Sequence, residues 1–122
     1  MNYSIGEFSK ITNLSIYTLR YYEQEELITP NRKSNGHRYY NDTDLRWIEF
    51  VQRLKDTGMP IKDIKKYAKL RSLGNSTMKS RMEMLVNHRS VLQLQINKLI
   101  DNMEKLDSKI QYYQTEINNQ NL

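Results

Sequence analysis

The sequence predicts a mainly α chain: a winged helix-turn-helix head over residues 1–73, followed by a long C-terminal helix over 74–122 that pairs as a coiled coil. Three observations carry that prediction. Two short amphipathic stretches near the N-terminus are joined by a tight turn. A polar, basic segment with the hairpin signal Asn35-Gly36 comes next. Beyond Gly74-Asn75-Ser76 the apolar residues fall on three- and four-residue steps, with no Gly or Pro to interrupt them.

Ser4-Ile5-Gly6-Glu7 fits a capping box, in which the Ser4 hydroxyl accepts from a helical N–H and Glu7 reaches back to the cap. Ile5, Phe8 and Ile11 then keep helical spacing, which predicts a first helix over 5–12. Thr12-Asn13-Leu14 reads as the turn, and Ser15 caps a second helix from Ile16 to about Glu23. Pro30 cannot continue that helix. Residues 31–41 follow as a two-stranded wing whose second strand holds Tyr39 and Tyr40.

Asn41 or Asp42 caps a third helix with Leu45, Trp47, Ile48, Val51 and Leu54 on its apolar face, and Gly58 suits its C-terminus. Pro60 opens a fourth helix, with Ile61, Ile64, Tyr67, Ala68 and Leu70 turned inward.

In the last stretch, setting Met82 at heptad position a puts Leu85, Leu92, Leu99, Leu106 and Tyr113 at d, with Ile96, Met103 and Ile110 at a. Only Arg89 breaks the register. A solitary helix of this length, on the order of 60 Å at 1.5 Å per residue, cannot bury such a seam, so these residues are the candidate dimerisation set. The residues at e and g give few clean ion pairs and leave the direction of pairing open.

Composition narrows the partner. The net charge is +5, with thirteen Lys/Arg against nine Asp/Glu in residues 1–73 and six against five in 74–122, so the positive field belongs to the head. Two Arg-Tyr-Tyr triplets, Arg20-Tyr21-Tyr22 and Arg38-Tyr39-Tyr40, fall on the second helix and the wing. Each sets guanidinium donors beside phenols, a combination suited to phosphate oxygens and base edges. Double-stranded DNA is the implied partner. The candidate contacts are Ser15, Tyr17, Thr18, Arg20 and Tyr21 on the second helix, Lys33, His37, Arg38 and Tyr39 in the wing, and Lys55 on the third helix. Lys65 and Lys66 are weaker candidates, and Tyr22 and Tyr40 are better suited to packing.

The four segments Thr18-Leu19-Arg20-Tyr21-Tyr22-Glu23, Leu27-Ile28-x-Pro30, Gly36-x-Arg38-x-Tyr40 and Gly58-x-Pro60, in that order and spacing, resemble the MerR family of bacterial transcription regulators. The resemblance covers the whole chain. It implies an antiparallel pairing of the terminal helix in a homodimer, which holds two heads over an inverted repeat. It implies binding within an overlong promoter spacer that the protein bends and untwists, so that RNA polymerase is reached indirectly through DNA shape. Trp47-Ile48-Glu49-Phe50 looks most like the aldehyde-responsive branch, but Arg53 stands where that branch carries a cysteine. The inducing small molecule, if there is one, is not legible.

Other classes find little support. The chain has no cysteine, which removes disulfides, thiolate metal sites and thiol nucleophiles. His37 and His88 lie in different modules, and no glycine loop cradles a phosphate, so neither an enzyme, a cofactor nor a metal is expected. No stretch approaches the roughly twenty apolar residues of a membrane span, and an intracellular, cytoplasmic protein is expected. The alternative reading is an architectural anchor that binds DNA and recruits a partner through its coiled coil.

Overall fold

The computed structural model describes residues 1–121. The element order is β1 (Asn2–Ser4), α1 (Ile5–Thr12), α2 (Ile16–Gln24), β2 (Asn31–Arg32), β3 (Arg38–Asn41), α3 (Asp42–Asp56), α4 (Ile61–Ser72), a 3-10 turn (Asn75–Thr77) and α5 (Met78–Gln120). The chain divides into two compact units, residues 1–85 and 86–122. The first unit thus takes in the opening turns of α5, further along the chain than the Gly74 break suggests.

The helix starts follow local chemistry. Ser4 Oγ accepts from the Glu7 amide at 3.1 Å while Glu7 Oε1 accepts from the Ser4 amide at 3.0 Å, which completes the capping box. Asn41 does the same for α3 with Asp44, at 3.0 and 2.9 Å. The ends of α2 and α3 close alike. The Leu27 amide donates to the Tyr22 carbonyl and the Met59 amide to the Leu54 carbonyl, a Schellman closure that needs a left-handed residue just before. After α3 that residue is Gly58, at φ 89°. After α2 it is Glu26, at φ 61°, a strained place for a side chain.

The two-stranded wing forms as expected, and the sheet extends beyond it. It has three strands in the order β1-β3-β2, both pairings antiparallel, with Tyr3 opposite Tyr40 and Asn31 opposite Tyr39. Ser4 caps α1 in an extended conformation, so the residues before it run straight into a strand. Three residues are too few to display an alternation that marks them in sequence. The Tyr3 hydroxyl donates to Asp42 at 2.6 Å, tying β1 to the start of α3 and holding that carboxyl below its ordinary range.

The core of the first unit is continuous: Phe8, Leu19, Tyr22, Tyr40, Ile48, Val51 and Ile64 are fully enclosed. Phe8 stacks on Tyr40 with centroids 4.4 Å apart, and Trp47 stacks on Tyr67 at 5.9 Å. The Trp47 indole N–H donates to the Leu27 carbonyl at 2.7 Å, pinning the loop after α2. Each enclosed aliphatic or aromatic side chain contributes about 1.5–3 kcal/mol.

Ile61 departs from expectation. It shares the spacing of Ile64 but stands in the first turn of α4, at the margin of the core, and is 38% exposed. Ile11 is likewise outside, and the buried end of α1 is Thr12, whose hydroxyl donates back to the Phe8 carbonyl at 2.7 Å.

Candidate nucleic-acid interface

The face of α2 turned away from the core is built by its own periodicity. Leu19 and Tyr22 are buried, so the positions between and around them must point outward. Tyr17 is 82% exposed, Tyr21 39%, and Arg20 is exposed with no ion-pair partner among the described residues. Ser15 begins the helix: its Oγ accepts from the Thr18 amide at 3.0 Å and lies 2.9 Å from the Thr18 hydroxyl. Those two hydroxyls therefore serve the cap first, and their remaining lone pairs and hydrogens face solvent at the helix N-terminus. The result is an exposed helix face with one free guanidinium flanked by phenols and hydroxyls, the donor set that base edges and phosphates require.

The wing is a short hairpin. The Lys33 amide donates to the His37 carbonyl and the Gly36 amide to the Lys33 carbonyl, both at 2.9 Å, and Gly36 supplies the left-handed residue at φ 84°. Asn35 Oδ1 accepts from the His37 amide at 3.1 Å, which fixes the turn. Lys33 and His37 are exposed at the tip. Tyr39 is half-buried, whereas Tyr40 is enclosed against Phe8, so the second triplet splits into an outer and an inner tyrosine as the first one does.

Two candidates are otherwise engaged. Arg38 does not project freely: its Nε donates to Glu23 Oε2 at 2.7 Å and its Nη2 to Glu23 Oε1 at 3.4 Å. The hydrogen bond to Glu23 raises the guanidinium pKa further above its already high value. Lys55 Nζ donates to the buried Tyr22 hydroxyl at 2.9 Å, and its ammonium lies 5.1 Å from that ring's centroid. It satisfies the one polar atom that Tyr22 carries into the core. Lys65, similarly, is paired with Glu25 at 3.0 Å.

Sequence reasoning missed Glu23 and Arg32. Glu23 takes both arginines of the hairpin, Arg32 Nη2 approaching at 3.5 Å while Arg32 Nη1 donates to the Gly36 carbonyl at 2.9 Å. The available signal was a carboxylate directly after the first triplet, the first of three with Glu25 and Glu26, ahead of a basic segment. Among the described residues no cluster of His, Cys, Asp or Glu could hold a metal ion, and no helix is long and apolar enough to cross a membrane.

On α5 the candidate seam residues divide. Leu85, in the first unit, is half-buried against that unit's core. Leu92 is of intermediate exposure, while Ile96, Leu99, Met103, Leu106, Ile110 and Tyr113 are exposed along one stripe. Val86 and Ile100, at e positions, widen it.

Comparison with known proteins agrees with this geometry. The profile of the MerR HTH family regulatory protein matches residues 3–70, and that of the MerR DNA-binding region matches residues 45–109. An uncharacterised HTH-type transcriptional regulator of Haemophilus influenzae is 35% identical over 116 residues, covering 93% of this chain and 85% of its own length. HiNmlR, a MerR family regulator lacking the sensor domain and crystallised bound to promoter DNA, matches with a TM-score of 0.83 and 34% identity over 94% of this chain and 92% of its own. A MerR family transcriptional regulator from Bacillus thuringiensis matches with a TM-score of 0.77 and 32% identity, over 90% and 97% of the two chains.

Proposed function

This chain belongs to the MerR family and is a DNA-binding transcription regulator, not an enzyme; from that premise we propose that it acts as a homodimer on an inverted repeat in a promoter spacer. In this reading α2 enters the major groove, with Tyr17, Arg20 and Tyr21 facing bases and phosphates and Ser15 and Thr18 at the helix start. Lys33, His37 and Tyr39 carry the wing along the backbone. Lys55, held on Tyr22, supports the recognition helix from behind and has no direct contact assigned.

The α5 stripe pairs antiparallel with that of a second copy and spaces the two heads. Control of transcription then comes from bending and untwisting the spacer, which changes how RNA polymerase meets its two promoter elements without a protein–protein contact.

The observation that carries the reading is the outer face of α2, where the unpaired Arg20 is flanked by exposed tyrosines. The promoter-bound state of HiNmlR supports it. Genomic fragments recovered with the protein supply the duplex for a test. Replacing Arg20 with Ala should weaken binding by roughly 1 kcal/mol or more, the worth of a charge-assisted contact. Unchanged gel-shift affinity overturns the assignment. Transcription with purified polymerase then separates a regulator from a mere anchor, because an anchor leaves the initiation rate unaltered.

A further inference from the structure

Glu23 stands in the last turn of α2 with its carboxylate turned toward the wing. It meets Arg38 of β3 through both oxygens and Arg32 of β2 through one, so a single acid takes up a guanidinium from each strand of the hairpin. The pairing with Arg38 is partly withdrawn from water: the Glu23 side chain is 22% exposed and that of Arg38 28%. A two-point, partly buried pair of this kind holds orientation far better than a surface ion pair.

The arrangement has two consequences for binding DNA. The first is geometric. Base reading by α2 depends on a fixed register of the whole head on the duplex, and the wing is one of the arms that sets it. The Glu23 bridge, spanning fifteen positions of sequence, fixes the wing against α2. The second is electrostatic. Arg32, Lys33 and Arg38 are the wing's cations, and each cation free to neutralise a phosphate strengthens binding to every sequence alike. Glu23 occupies two of the three.

We propose that Glu23 is a positioning residue that sets sequence discrimination: it locks the wing to the recognition helix through Arg38 and Arg32, and withholds both guanidiniums from sequence-independent phosphate contact. The inference rests on the DNA-binding reading above. Arg38, expected from the sequence as a direct contact, becomes the wing's half of this lock.

The test uses the full chain and two duplexes of equal length, one recovered with the wild-type protein from genomic DNA and one scrambled, titrated across a salt series. Glu23→Gln keeps the shape and removes the charge. The expected result is tighter binding to the scrambled duplex and a steeper salt dependence, by about 0.9 in the log–log slope for each guanidinium released. Discrimination between the two duplexes should fall by roughly tenfold, the equivalent of one charge-assisted contact. Arg38→Gln should lower discrimination as well, and the double variant should lose no more than Glu23→Gln alone, because that change already breaks the whole lock.

Arg38→Lys keeps the charge without the fork, so it tests the lock from the wing side and should also lose discrimination. Additive losses in the double variant overturn the proposal. So does a Glu23→Gln protein with wild-type slope and discrimination, or one whose loss is confined to a single base pair in each half-site, which marks direct base reading by Glu23. Failure of the wild type to bind either duplex overturns the DNA-binding reading itself, and this proposal with it.

Discussion

Residues 1–85 and residues 86–121 are both rich in apolar side chains, yet only the first group hides them within its own chain. The head encloses Phe8, Leu19, Tyr22, Tyr40, Ile48, Val51 and Ile64 against one another, while among the described residues of α5 none is buried. The head's apolar residues come from elements that cross, so each face finds another within the same chain. Those of the tail lie along one continuous helix, whose stripe of Ile96, Leu99, Met103, Leu106, Ile110 and Tyr113 can be covered only by something else. Head stability is therefore expected to be a property of one chain, and tail stability a property of concentration.

The largest effect should come from breaking the tail. Leu99→Asp places a carboxylate in the proposed seam of both copies, where burying an unpaired charge costs several kcal/mol. Sedimentation should then show a monomer at micromolar concentration, with helical circular dichroism lost from the tail and the head transition retained. A dimer that survives this change means that the seam runs elsewhere on α5.

Phe8→Ala probes the other side of the comparison. It removes the ring stacked on Tyr40 and should lower head stability by about 3–5 kcal/mol in urea denaturation. The dimer dissociation constant, measured where the head is still folded, should not change. If it shifts in step with head stability, the two parts are not energetically separate.

The smallest change refines the head alone. The Tyr40 hydroxyl is enclosed without a hydrogen-bond partner among the described residues, and burial raises its pKa, so it stays neutral. Tyr40→Phe deletes that unmet donor while leaving the stack, and should raise stability by about 1 kcal/mol, a few degrees in Tm for a domain of this size. A loss instead of a gain means that the hydroxyl is satisfied in solution by water.

Much of this architecture was legible before any coordinates. Ser4, Ser15, Asn35-Gly36, Asn41, Gly58 and Pro60 each marked a boundary that the structure keeps, because caps and turns are set by neighbours within about four residues. The outward and inward division of the two triplets followed from helical and strand periodicity. The third strand was missed, since Asn2–Ser4 becomes a strand only by pairing with Arg38–Asn41. The partners of Arg38 and Lys55 are not legible in the sequence either, because Glu23 and the Tyr22 hydroxyl reach them only through the packing of helix and hairpin.

The chain's local chemistry thus decided where its helices begin and end, which residues face the core, and that one long apolar stripe awaits a partner. The tertiary structure decided which charges are engaged within the head. Lys55 meets the Tyr22 hydroxyl across thirty-three positions and Arg38 meets Glu23 across fifteen, distances over which no local rule operates. A guanidinium or ammonium carries the same charge anywhere in the sequence. Whether it is spent inside the fold or offered to phosphate depends on which acid or phenol the packing of helices and hairpin brings within hydrogen-bond reach. In this head the packing keeps Arg20 free and engages Arg38 and Lys55.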